Sequence, residues 1–185
     1  MNQFLFGLLI FIVLILPPVA DFMESVMILH MHMQMPLLVI AGFLMARLFQ
    51  VRFSQFFAKW NDSGIPGMLL FIIIMVYWMI PRTMDEALTV QTIEIFKYIS
   101  LPFLAGIPLR DSWKKLSATV KNIIIISFTI MFSGMGWLYI KTPTQLCNNY
   151  LLIDQITLGW GFITMAICMA IYLAYYYLVD HSQYH

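Results

Sequence analysis

Six long apolar runs separated by short polar breaks organise this chain. They cover about 4–20, 23–48, 65–80, 87–109, 118–140 and 156–179. A helix that crosses a bilayer needs about 17–25 predominantly apolar residues, so each run predicts a span. Pro17-Pro18 closes the first run and Pro81-Arg82 the third, where a ring without an N–H stops helix propagation. The predicted fold is an all-α integral membrane protein, one transmembrane helical domain of about six helices over 1–185. The first run could pass for a signal peptide ending near Pro18-Val19-Ala20. It has no Lys or Arg ahead of its apolar stretch, so it is read as a retained span.

Composition strengthens this picture. Hydrophobic residues make up 62% of the chain and charged residues 10%, against roughly 25% charged in a soluble domain. The chain lacks the polar surface to stay in water. A net charge of +1 gives no case for nucleic-acid binding.

Loop charges set an expected orientation, because Lys and Arg stay on the cytoplasmic side. The breaks after the second and fourth runs, with their flanks, hold Arg47, Arg52, Lys59, Arg110, Lys114, Lys115 and Lys121. The other breaks hold only Arg82 and Lys141, against Asp21, Glu24, Asp85, Glu86 and Asp154. This split predicts a multi-pass protein of the inner (cytoplasmic) membrane with both termini cytoplasmic. Small residues at four-residue spacing, Gly42/Ala46 and Ala166/Ala170/Ala174, predict where helices approach closely.

Candidate chemistry concentrates in Met27-Ile28-Leu29-His30-Met31-His32-Met33-Gln34-Met35-Pro36. Thioethers and imidazoles together suit a soft ion such as copper(I), and the same residues also make a plain adaptable packing face. The candidate metal ligands are His30, His32, Met27, Met31, Met33 and Met35. Glu94, Lys97, Asp154 and Gln34 are supporting polar groups near the same membrane depth. On a regular helix His30 and His32 diverge by about 200°, so they cannot share one ion unless Pro36 distorts the turn. Glu94 and Lys97, three residues apart, share a helix face and predict an internal ion pair. Cys147 and Cys168 have no zinc-type spacing, and no nucleotide-binding loop or hydrolytic triad is present. The expected role is therefore non-enzymatic.

The motif order resembles that of the CtaG-like membrane proteins, associated with copper delivery and assembly of haem–copper oxidases. His30-Met31-His32-Met33-Gln34-Met35-Pro36-Leu37-Leu38 looks like that family's His/Gln/Met stretch. Tyr77 to Pro81 with Asp85-Glu86-Ala87-Leu88, then Phe103-Leu104-Ala105-Gly106, then Asp154-Gln155 to Leu158-Gly159, are similar to its later elements. Met79 stands where the family usually has histidine, and no histidine lies near Glu94 and Lys97. The resemblance implies a membrane protein that holds or delivers copper, or aids oxidase assembly, with the lipid bilayer and other membrane subunits as partners. The alternative is an accessory subunit of a larger respiratory or oxidase complex with no metal of its own.

Overall fold

The computed structural model describes residues 2–178, and every regular element among them is helical. In chain order these are α1 (Asn2–Ile15), α2 (Pro17–Glu24), α3 (Met27–Arg52), α4 (Ser54–Trp60), α5 (Ile65–Trp78), α6 (Pro81–Thr89), α7 (Gln91–Trp113), α8 (Ala118–Lys141) and α9 (Leu152–Leu178). Of these, α3, α7, α8 and α9 are long and apolar enough to cross a membrane. The count rises to six if the bent pairs α1–α2 and α4–α5 each form one crossing. The histidines at 181 and 185, read as tail residues, lie outside the described residues.

Two of the expected spans, the first and the fourth, are not single straight helices, and the third follows a sharp bend. The first bends by 71° between α1 and α2, where Pro17 starts a new helix. The third is preceded by α4, and the chain turns 87° between α4 and α5. That turn passes through Gly64, whose φ of +76° is a conformation that side chains with a Cβ avoid. The fourth run divides too: α6 ends at extended Val90 before α7 begins.

Helix α3 is the centre of the fold, flanked by α1, by α7 and, at its first turn, by α9. Its crossing with α7 is very close. A Cβ on Gly42 would fall 1.9 Å from the carbonyl oxygen of Pro102, and one on Gly106 would fall 2.3 Å from that of Val39. Bare Cα atoms let the two backbones touch, which is how helices gain dispersion energy where lipid removes the hydrophobic incentive. The Gly42/Ala46 stripe thus lies in a contact. The alanine stripe of the last run does not: only Ala166 is buried, while Ala170 and Ala174 are exposed. Helices α8 and α9 approach instead at Gly136 and Gly159.

Polar networks tie both ends of the bundle. At one end Asp111 accepts from Asn61 (2.7 Å), Lys115 (2.7 Å) and Gln50 (3.0 Å). At the other, Gln155 holds the loop before α9, accepting from the Leu146 N–H at 2.8 Å and donating to the Tyr139 carbonyl at 3.2 Å. Asp85 caps the same loop through the backbone and side-chain amides of Asn149, at 3.0 and 2.8 Å.

Candidate functional site

The candidate stretch is a wide turn inside α3. Residues His30–Gln34 form a π-helical segment in which the Met35 N–H donates to the His30 carbonyl, five residues back. Pro36 explains it. In an α-helix its ring would run into the carbonyl of His32 and leave that carbonyl without a donor. A π turn widens the backbone locally, and such turns gather at functional sites. Helix α7 carries a second one, Ser100–Gly106, which contains Pro102 and precedes Pro108, closed by the Ile107 N–H on the Pro102 carbonyl. The distortion expected at Pro36 therefore takes the form of an expanded turn rather than a break.

His30 and His32 point to different environments, as their spacing requires. His30 is wholly buried beside Gln34. On the same side the Glu24 carboxylate accepts from Lys97 at 2.5 Å, Gln34 at 3.1 Å and the Tyr98 hydroxyl at 3.1 Å. The Tyr150 hydroxyl donates to the Glu24 backbone carbonyl at 2.7 Å. Lys97 is fully buried, and its ammonium also lies 4.6 Å from the centre of the Tyr98 ring. The expected Glu94–Lys97 pair is thus replaced by Glu24–Lys97, a contact between α2 and α7 that helical spacing cannot reveal. Neither ring nitrogen of His30 makes a hydrogen bond of ordinary geometry, and the Gln34 carbonyl oxygen is likewise unmatched.

His32 faces the α8–α9 hairpin. Its ring tilts against Phe162 at 4.7 Å, and a Cβ on Gly161 would come within 3.0 Å of its Nε2. His32 lines a cavity of about 60 Å³, and neither of its nitrogens forms a well-aligned hydrogen bond. Five methionines line that cavity with His32: Met31 and Met35 from α3, Met75 and Met79 from the end of α5, and Met165 from α9. Trp78 forms another wall, its indole fixed by a 2.9 Å bond to the Ser100 hydroxyl in the π turn of α7. The space exceeds what one water requires. Its donors are neutral sulfur atoms and an imidazole, the set that selects copper(I) over hard divalent ions.

The remaining candidates scatter. Met33 is 46% exposed on the outside of the bundle, and Met27 is buried outside the cavity lining. Asp154 accepts from the Leu151 N–H at 3.3 Å, which caps the start of α9. Glu94 is only partly buried, and Gln34 serves the Glu24 cluster. Met75, Met79, Met165 and Gly161 were not among the expected site residues. The sequence signals for them are the four-residue spacing of Met75 and Met79, level with Trp78, and the position of Met79 where the resembled family usually has histidine. Among the described residues no group of three or more His, Cys, Asp or Glu is placed to hold a metal ion. The chain matches no family model, no curated protein and no solved structure.

Proposed function

We propose that this is a non-catalytic multi-pass membrane protein that holds copper(I) in the cavity between α3, α5 and α9. The observation that carries it is the convergence of five thioethers on His32, whose nitrogens lack well-aligned hydrogen bonds. His32, Met31, Met35, Met75, Met79 and Met165 would be the ligand pool, from which a soft ion needs only two to four donors. His30, Met27 and Met33 would take no part. Delivery of the ion to a haem–copper oxidase, or a role in its assembly, rests on the CtaG-like motifs alone.

Six crossings, with both termini in the cytoplasm, complete the proposal. Helix α1 is about 21 Å long at 1.5 Å per residue, short of a bilayer core of about 30 Å, so the first crossing in this reading is the bent pair α1–α2. Asp111, Lys115 and the flanking basic residues gather at one end of the bundle, and Glu24 and Asp85 at the other. That segregation is what a positive-inside orientation in an inner membrane requires.

Titration of the purified protein with copper(I) against a colorimetric chelator tests the ligand assignment. A single ion per chain is expected, weakened by His32→Ala and by Met75→Leu/Met79→Leu but not by Met33→Leu. Failure of the wild-type protein to compete with the chelator would overturn it. In that event the accessory-subunit reading gains, supported by a Glu24 cluster whose charges already satisfy one another.

A further inference from the structure

A second cavity opens between the α8–α9 hairpin and the rest of the bundle, adjoining the first through Pro36, Met75, Phe132 and Met165. It measures about 310 Å³ and no polar atom lines it. Val39 of α3, Phe71 of α5, Leu109 and Trp113 of α7, Phe128 of α8 and Met169 of α9 define its walls. Such a cleft inside a membrane protein is wetted by nothing but hydrocarbon. Its volume is far below that of a transmembrane helix, a cylinder about 10 Å across and 30 Å long that fills about 2,000 Å³. It is within the range of pockets that take a single small ligand or chain.

Charge at one end narrows the occupant further. Trp113, a wall of the cleft, is also half-exposed at the end of α7, where an indole prefers the headgroup level. The Lys121 ammonium sits 5.6 Å from its ring centre, and Lys114 is the next residue of the chain. Neither lysine has a carboxylate within ion-pairing distance among the described residues, whereas Lys115 is matched to Asp111 at 2.7 Å. Lys121 beside the indole, with Lys114 next to Trp113 in the chain, at one end of a purely apolar cleft, is complementary to a phosphate joined to an acyl chain.

We infer that the cleft between α8–α9 and the core is a binding site for an anionic phospholipid of the surrounding bilayer. One acyl chain lies against Phe71, Phe128 and Met169, and the headgroup phosphate lies at Lys114 and Lys121. Each buried methylene contributes to retention irrespective of headgroup. The two lysines supply the preference for negative charge. The lysine end of this site lies away from the methionines it shares with the copper(I) cavity, so its charge preference does not rest on metal binding.

The test uses the full-length protein reconstituted in phosphatidylcholine bilayers doped with either brominated phosphatidylglycerol or brominated phosphatidylcholine. Bromine on an acyl chain quenches an indole at contact, and the difference between wild type and Trp113→Phe isolates the Trp113 signal. Half-quenching is expected at a mole fraction at least about fivefold lower for the glycerol lipid, since each lysine near the surface favours negative charge. Lys114→Gln/Lys121→Gln should abolish that preference and leave quenching by brominated phosphatidylcholine unchanged. Raising the salt to about 1 M, where the Debye length is about 3 Å, should abolish it in the wild type as well. Equal quenching by the two lipids at low salt overturns the inference. So does an unchanged preference in the lysine variant, or the absence of quenching by both lipids.

Discussion

The buried ammonium of Lys97 and the carboxylate of Glu24 meet at 2.5 Å, 73 residues apart in the chain. This pair locks α2, beyond the Pro17 bend, onto α7 within a partly buried polar cluster that includes Gln34 and Tyr98. Breaking one half of a buried pair strands the other charge, at a cost of about 3–5 kcal/mol. Glu24→Ala and Lys97→Ala should each destabilise the protein by that order, whereas Glu24→Leu/Lys97→Met should restore much of the loss. Unfolding by denaturant in mixed micelles measures all three. Additive losses in the double variant would mean that the two groups act separately.

The crossing of α3 and α7 makes a sharper prediction. Gly42→Ala and Gly106→Ala place a methyl group inside backbone atoms that cannot give way, at 1.9 and 2.3 Å. Both should lower stability by several kcal/mol, more than the roughly 1–3 kcal/mol of ordinary overpacking. Gly134→Ala, in α8, meets nothing within 4 Å and should be neutral or slightly stabilising, since alanine favours helix. Thermal denaturation of the three variants in one detergent separates these outcomes.

A third prediction concerns how His32 is seated. Gly161→Ala brings a methyl group within 3.0 Å of Nε2, so the ring must shift by a few tenths of an ångström from its present seat against Phe162. If His32 is a copper(I) ligand, this variant should weaken binding about tenfold, as loss of a supporting contact does at metal sites. Chelator competition measures the affinity and circular dichroism checks that the helices remain. Unaltered affinity would remove His32 from the ligand pool.

Cys147 offers a prediction in pH. Its thiol is 2% exposed against the Pro81 carbonyl, and burial, reinforced by the nearby Asp85 carboxylate, pushes it up to about 11. The thiolate is the reactive form, so its fraction at pH 8 is about a hundredfold below that of an ordinary cysteine. In a Cys168→Ala background, the alkylation rate should climb about tenfold per pH unit up to about pH 11. A plateau near pH 9 would contradict this environment.

The membrane-spanning helical character could be read directly from the apolar runs, because in lipid only length and hydropathy decide whether a helix crosses. The divergence of His30 and His32 also followed from spacing alone. The partners of those side chains did not. Lys97 reaches Glu24 rather than Glu94 because α2 folds back after Pro17, a tertiary fact with no local signature. The methionine cavity has no local signature for the same reason: Met75, Met79 and Met165 meet Met31 and Met35 from other parts of the chain. A single run of sequence displays only its own residues. Met33, conspicuous within the motif, faces outward.

The wide turn at His30–Gln34 has a consequence for how this chain can change. Such a turn is an α-helix carrying one surplus residue, accommodated here beside Pro36. Deleting one residue between 30 and 34 would restore α geometry and drive the proline ring into the preceding turn. Replacing Pro36 alone would remove the reason for the expansion and leave the surplus residue without a place. Each change by itself is a liability, but together they cancel and return an ordinary helix of the same reach. The proline and the extra residue are therefore gained or lost as a couple, and His32 holds its position over the cavity only while both are present.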